Sequence, residues 1–464
     1  MPEPSARLSP EPPAGFGALL PHMRTEAPGP RSRELATLLE RHEAPTASTL
    51  ARGQVPVFWE RTRDANILDV DGNLYVDLTA GFCVAVAGHS NPRIVAALSE
   101  QAAVMMHSQG ASNPNPLRAR LAQRLAELAP GNLSVSHLAN TGAEAIEVAL
   151  KTARLHTGRS MVIAFQGGFH GKTIGALAAT SQNYYRAPFQ GELGGVVHLP
   201  YAYCYRCAFG REYPACDTFC ADYVRHVIEM PDSGVADIAA LVVEPVQGHG
   251  GWIVPPPSFL AKLRRICDDH GILLIADEII TGCGRTGRLF AVEHAGVVPD
   301  ILTVAKGLAS GFPISAMITT PEIAAAWKPL QHTSTFLGNP VGCAAALASL
   351  AEITERGLVA RAAEMEGRFR ERLDQMQRRC ALIGDVRILG SMAGIELVED
   401  RRTKKPAAAQ AARAVANALQ RGVMATNLGG TYHNVIKMSP PLVITWEQLS
   451  VALDLLEESV QQAA

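Results

Sequence analysis

Between residues 133 and 335, short and largely apolar runs alternate with stretches of helical period. The runs are Ser134–Leu138, Ser160–Phe165, Ala240–Glu244, Ile272–Asp277, Ile301–Ala305 and Ile314–Thr319. A strand with one face in water alternates apolar and polar residues. Most of these runs do not, so both faces must be covered. Parallel neighbours need long crossovers, and the intervening helices supply them. The pattern predicts an α/β fold, with a mostly parallel sheet between helices.

The flanks read differently. Residues 1–30 hold eight of the 30 prolines and are expected to form a disordered tail. A short helix is expected over Arg33–Arg41. From Val57 to Thr79 the pattern suits strands, with Asp71-Gly72-Asn73 as a hairpin turn. Helices follow from Asn91-Pro92 to about Met106 and over Pro116–Leu128. Beyond 341 come a helix-prone stretch (342–379), a strand pair (Asp385–Leu389 and Ala393–Val398), a helix over Ala407–Arg421 and a C-terminal helix from Glu447. The expected division is a tail (1–30), an N-terminal segment packing with a small domain (31–90), a large domain (91–340) and a small α+β domain (341–464).

Charge and length exclude several functions. With 42 basic and 44 acidic residues the net charge is -2, which offers no basic excess for nucleic acid. The longest apolar runs are far short of the ~20 residues that span a bilayer. Nine cysteines in 464 residues do not make a disulfide scaffold, and a cytoplasmic setting is expected.

Five segments carry chemistry. Asn140-Thr141-Gly142-Ala143-Glu144-Ala145 joins a strand end to a helix start, where free N–H groups attract an anion such as phosphate. An ordinary helix cap would read the same way. Gly167-Gly168-Phe169-His170-Gly171 brings backbone and an aromatic face close to something. Glu244 lies at a strand's C-terminal end, where open α/β sheets bind ligands. Asp277 closes a strongly apolar strand and needs a cation or donor. Lys306 closes another, and a partly buried amine becomes a nucleophile. Gly282-Cys-Gly284-Arg-Thr-Gly287 matches a dinucleotide fingerprint only literally. It lacks the strand-to-helix setting and the following acidic residue. A lysine, a paired carboxylate, a stacking ring and an anion cradle on one sheet are what pyridoxal phosphate requires.

From Val57 onward the chain resembles the class III (ω-type) aminotransferases of pyridoxal-phosphate fold type I. The likeness rests on Gly88-His89-Ser90-Asn91-Pro92, Asn140–Ala145, Phe169-His170-Gly171, Glu244–Gly248, Asp277-Glu278, Gly284–Gly287, Lys306-Gly307 and Thr335–Pro340. The resemblance implies a transaminase that moves an amino group between an amine or amino acid and a 2-oxo acid in two half-reactions. Lys306 would form the aldimine and shuttle the proton, while Asp277 would keep the pyridine nitrogen protonated. Phe169 would stack on the ring, with His170, Glu244 and Ile280 beside the cofactor. Thr141, Gly142 and Ala143 would bind the phosphate. Thr335 would reach the phosphate of a neighbouring subunit, so the site would be shared in a homodimer. Amino-acid racemases and phospho-amine lyases share this fold and are the alternative.

The sequence departs from the family pattern at one cofactor position, Ile280, and at two positions of the expected substrate pocket, His249 and Lys437, which Phe82 would also line. Ile280 replaces a glutamine found in many members. His249 stands where glutamate users often have Glu, and Lys437 where the family usually has Arg. Lysine offers a point charge in place of a bidentate fork. Both halves of a Glu–Arg pair are thus altered, which predicts a changed carboxylate site.

Cys204-x2-Cys207-x8-Cys216-x3-Cys220 looks like an insertion carried by part of the family. Four thiolates at this spacing could hold tetrahedral zinc. Buried free thiols and loop-pinning disulfides are the alternatives.

Overall fold

The computed structural model describes residues 13–47 and 54–464. Its centre is a seven-stranded sheet: β1 (Val135–Ala139), β2 (Met161–Phe165), β3 (Val196–Leu199), β4 (Ile238–Val243), β5 (Leu273–Asp277), β6 (Ile301–Val304) and β7 (Ser315–Thr319). The spatial order is β1-β7-β6-β5-β4-β2-β3. Only β7 runs antiparallel to its neighbours. β4 and β5 are buried along their whole length. One face packs on helices Phe219–Glu229 and Pro257–His270 through Leu241, Val243, Val224, Phe259 and Leu263. The other packs on Gly142–Thr157 through Ile146, Leu150, Val242 and Ile275. The α/β expectation of a mostly parallel sheet between helices therefore holds.

Local rules place the helix starts. Asn91 and Asn115 accept first-turn N–H groups as N-caps, each followed by proline. Thr141 and Glu144 form a reciprocal capping box at Gly142.

Both chain ends contribute to the flanking structure. Strands Trp59–Arg63, Asn66–Asp69 and Leu74–Asp77 form a meander, and Val423–Met424 joins it in parallel. A second sheet pairs Met392–Asp400 with Ile383–Leu389 and with Val435–Met438. That last strand carries Lys437, opposite Gly394.

The proline-rich tract corrects one expectation. Residues 1–12 lie outside the described residues, but residues 13–29 lie against the N-terminal meander instead of forming a disordered tail. Asn66 Oδ1 accepts from Gly17 N (3.0 Å) and Leu19 N (2.9 Å). Asn73 Oδ1 accepts from Arg24 N (2.8 Å) and Thr25 N (2.9 Å). Proline forbids a helix there but allows an extended strap whose N–H groups are taken up by side chains.

Candidate active site

Strands β2, β4, β5 and β6 end at the same edge of the sheet, and the residues just past their ends converge. Asp277 Oδ2 lies 2.7 Å from His170 Nδ1. A carboxylate only accepts, so Nδ1 carries the hydrogen. Asp277 Oδ1 accepts from Ile279 N at 3.1 Å. Burial opposes charge on His170, but the Asp277 carboxylate outweighs it and holds the imidazole above its ordinary value. Glu244 Oε1 accepts from Phe169 N (2.9 Å) and Oε2 from Gly248 N (2.8 Å). Burial, against the opposing charge of His170, pushes the Glu244 carboxyl up to about 7.

Lys306 follows β6 at a 3-10 turn, with φ +31°. Burial lowers its amine below the ordinary lysine range. Among the described residues it has no hydrogen-bond or ion-pair partner, which leaves the nitrogen free to bond to carbon.

At the start of helix Gly142–Thr157 the capping box occupies the N–H groups of Asn140, Thr141 and Glu144. Those of Gly142 and Ala143 find no acceptor among the described residues. Two free N–H groups at a helix N-terminus suit a phosphate. With the uncommitted lysine and the His-backed carboxylate, these residues fit pyridoxal phosphate.

A second group lies beside the first. His249 stacks on Phe169, with ring centroids 5.3 Å apart and planes at 27°. Tyr185 meets both edge-on. Lys437 Nζ sits 4.9 Å above the Trp252 ring. Gly429, at φ +86°, closes over this group. A Cβ added there would lie 2.9 Å from Lys437 Nζ and 3.1 Å from His249 Nδ1. The two altered positions of the Glu–Arg pair are thus neighbours in space. Phe82 projects from a turn in which Ala80, Gly81, Phe82 and Cys83 all have positive φ. Such backbone is costly for side chains and must be held by its surroundings. Ile280 packs toward Gly248.

Other candidates lie elsewhere. Thr335 sits on a surface loop against Gly110. Arg186 donates to the carbonyls of Leu177, Ala178 and Thr180 and caps a helix end. The zinc expectation is corrected. Cys204, Cys207, Cys216 and Cys220 line one small cavity. Yet among the described residues no group of three or more His, Cys, Asp or Glu is placed to hold a metal ion. Aromatic rings fill the loop instead, with Phe209 5.1 Å from both Phe219 and Tyr223.

Sequence reasoning treated His170 as a cofactor contact and missed its bond to Asp277. It also missed Trp252 and Tyr185. No local signal marks them, because each matters through a partner remote in sequence.

The fold and this constellation define a fold type I pyridoxal-phosphate enzyme. Residues 49–460 match the family model "Aminotransferase class-III". The chain is 38% identical to the leucine/methionine racemase of Thermococcus litoralis, covering 87% of this chain and 90% of that protein. It is 38% identical to the 5-aminovalerate aminotransferase DavT of Pseudomonas aeruginosa, covering 93% and 100%. Among solved structures, a PLP-bound amine transaminase from an uncultivated Pseudomonas species superposes with TM-score 0.85 at 31% identity, covering 91% of this chain and 98% of that one. The chain belongs to the class III aminotransferases. It is a pyridoxal-phosphate-dependent aminotransferase, moving an amino group between an amine or amino acid and a 2-oxo acid.

Proposed function

We propose that this transaminase works on substrates whose carboxylate is held by Lys437. The supporting observation is a lysine only 6% exposed, whose amine meets the face of Trp252 but has no hydrogen-bond or ion-pair partner among the described residues. A buried charge without a partner is costly, and a bound carboxylate would supply one. His249, beside it, has no negative charge to compete as a glutamate would. Burial, then the charge of Lys437, holds the His249 imidazole down at about 3, so it is neutral in use.

The residues then divide the work. Gly142 and Ala143 N–H groups, with Thr141 at the same helix start, would hold the cofactor phosphate, and Phe169 would cover the ring. Pyridoxal phosphate, when bound, supplies an aldehyde and an electron-withdrawing ring. Asp277, oriented by His170, would keep a proton on the ring nitrogen. Glu244 would fix the Phe169 and Gly248 backbone beside it. Lys306 Nζ would take the proton from substrate Cα and return it at the next carbon. Ile280 would close the ring edge without a polar contact, and Phe82 would border the substrate.

The working unit in this reading is a homodimer with Thr335 reaching the partner's phosphate site. A cytoplasmic setting agrees with nine free thiols, five of them buried. The test is a half-reaction screen on the loaded enzyme. Single amino acids and amines are added without an oxo acid, and the loss of the cofactor's visible band is followed. Faster conversion by carboxylate-bearing donors than by matched uncharged amines is expected. Equal rates would sink the Lys437 assignment.

Racemisation is a second reading, favoured by the Thermococcus litoralis relative being named a leucine/methionine racemase. Chiral analysis of a single amino acid incubated without an oxo acid separates the two.

A further inference from the structure

We propose that Cys204 and a neighbouring thiol of the 204–220 loop close a reversible disulfide that clamps this loop against the wall of the active site. All four cysteines of the loop are free, and they line one cavity of about 20 Å³. That volume holds about one water molecule. An organic ligand does not fit, and the thiols are not placed for a metal. What remains for thiols that line one cavity is reaction with each other. Cys204 is exposed while Cys207, Cys216 and Cys220 are half-buried, so Cys204 is the thiol that an outside reagent meets first.

The loop is wired to the pocket at two points. Tyr201 donates its hydroxyl to the carbonyls of Glu244 (2.9 Å) and Pro245 (3.3 Å). Tyr203 and Arg206 both bind the buried Glu396 carboxylate. Arg387 binds the same carboxylate at 2.7 Å and donates to Gly251 O through Nε (3.1 Å) and Nη2 (2.8 Å). The segment from Glu244 to Gly251 carries His249. Fixing the loop therefore fixes the backbone behind Glu244 and His249.

The chemistry balances with a small disulfide as oxidant. The Cys204 thiolate attacks one sulfur of glutathione disulfide, forming a mixed disulfide and expelling one glutathione thiolate. The second cysteine thiolate attacks the Cys204 sulfur, forms the internal S–S bond and expels the second glutathione. Two protein thiols are oxidised, one external disulfide is reduced, and the two protein protons end on the two glutathione thiols.

The test uses the loaded enzyme incubated with glutathione disulfide. Free thiols are counted, the 204–220 peptides are mapped, and kinetics are measured before and after. The expected result is a loss of two thiols from this loop, no retained glutathione, and reversal by dithiothreitol. KM for the amino donor shifts by about twofold or more while kcat holds, as a change in binding-wall geometry requires. Cys204→Ser, or Cys204→Ala should the first destabilise the fold, abolishes both the internal disulfide and the KM shift. Glutathione retained on Cys204, thiol loss mapped to Cys83 or Cys283, or a mapped disulfide with KM unchanged would each overturn the proposal. None of these readouts depends on which substrate Lys437 selects.

Discussion

At the scale of single residues, a buried lysine, Lys437, and a half-buried one, Lys306, are proposed for different tasks in one pocket. Burial, then the charge of Lys306, brings Lys437 down to about 8. In the proposed role, Lys437 offers a carboxylate an ammonium below that pH and a neutral amine above it. KM for carboxylate-bearing donors should therefore rise above pH 8, approaching about tenfold per pH unit. Lys437→Arg keeps its charge throughout and should remove that rise, which KM measured across pH in both proteins checks. Lys306 is different because its proposed task is to bond to carbon. Lys306→Ala should lower turnover by about 10³-fold or more and erase the half-reaction absorbance change, with the fold retained by circular dichroism. Both lysines were legible in the sequence, one as a strand-end anomaly and one as a departure from the family pattern. The pairing of His170 with Asp277 was not, because 107 residues separate them and only the parallel sheet sets β2 and β5 close enough.

At the scale of elements, periodicity found what is long or fully buried and lost what is short or held by side chains. Strands β4, β5 and β6 emerged within a residue or two of the runs read from the sequence. The edge strand β3 did not, being four residues long and mostly half-buried. The helix-prone stretch 342–379 is two helices, Pro340–Glu355 and Leu358–Arg379. Gly357 parts them at φ +66°, a conformation that ends a right-handed helix. The strap at residues 13–29 was illegible for another reason. Its order comes from Asn66 and Asn73, which read as ordinary strand and turn residues. Asn66 also donates to Leu19 O (2.9 Å) and Tyr75 O (3.1 Å). Asn66→Ala strands buried backbone groups and should cost about 2 kcal/mol. A lowered denaturant midpoint and faster proteolytic nicking within 13–29 check this.

At the scale of the whole molecule, the surface carries apolar residues that a solvated face does not explain. Met106 is 70% exposed and Leu330 73%, with Val104 and Phe336 also exposed. Their segments touch: His107 lies 5.3 Å from Phe336, and Asn339 Nδ2 donates to Met106 O at 3.0 Å. Exposed apolar residues on touching segments, such as Met106 and Phe336, would suit an association surface. Thr335 sits in its midst, beside the residue that anchors it. If this surface joins two copies, breaking it should remove both the dimer and the phosphate contact proposed for Thr335. Met106→Glu combined with Phe336→Glu places two charges where a partner would bury them, which is costly without counter-charges. Sedimentation velocity should show a shift from dimer to monomer. Activity should fall about tenfold or more and recover partly as protein concentration rises, since mass action restores the pair. A monomeric variant with full activity at every concentration would show that each chain completes its own site, and Thr335 would then have no role across the interface.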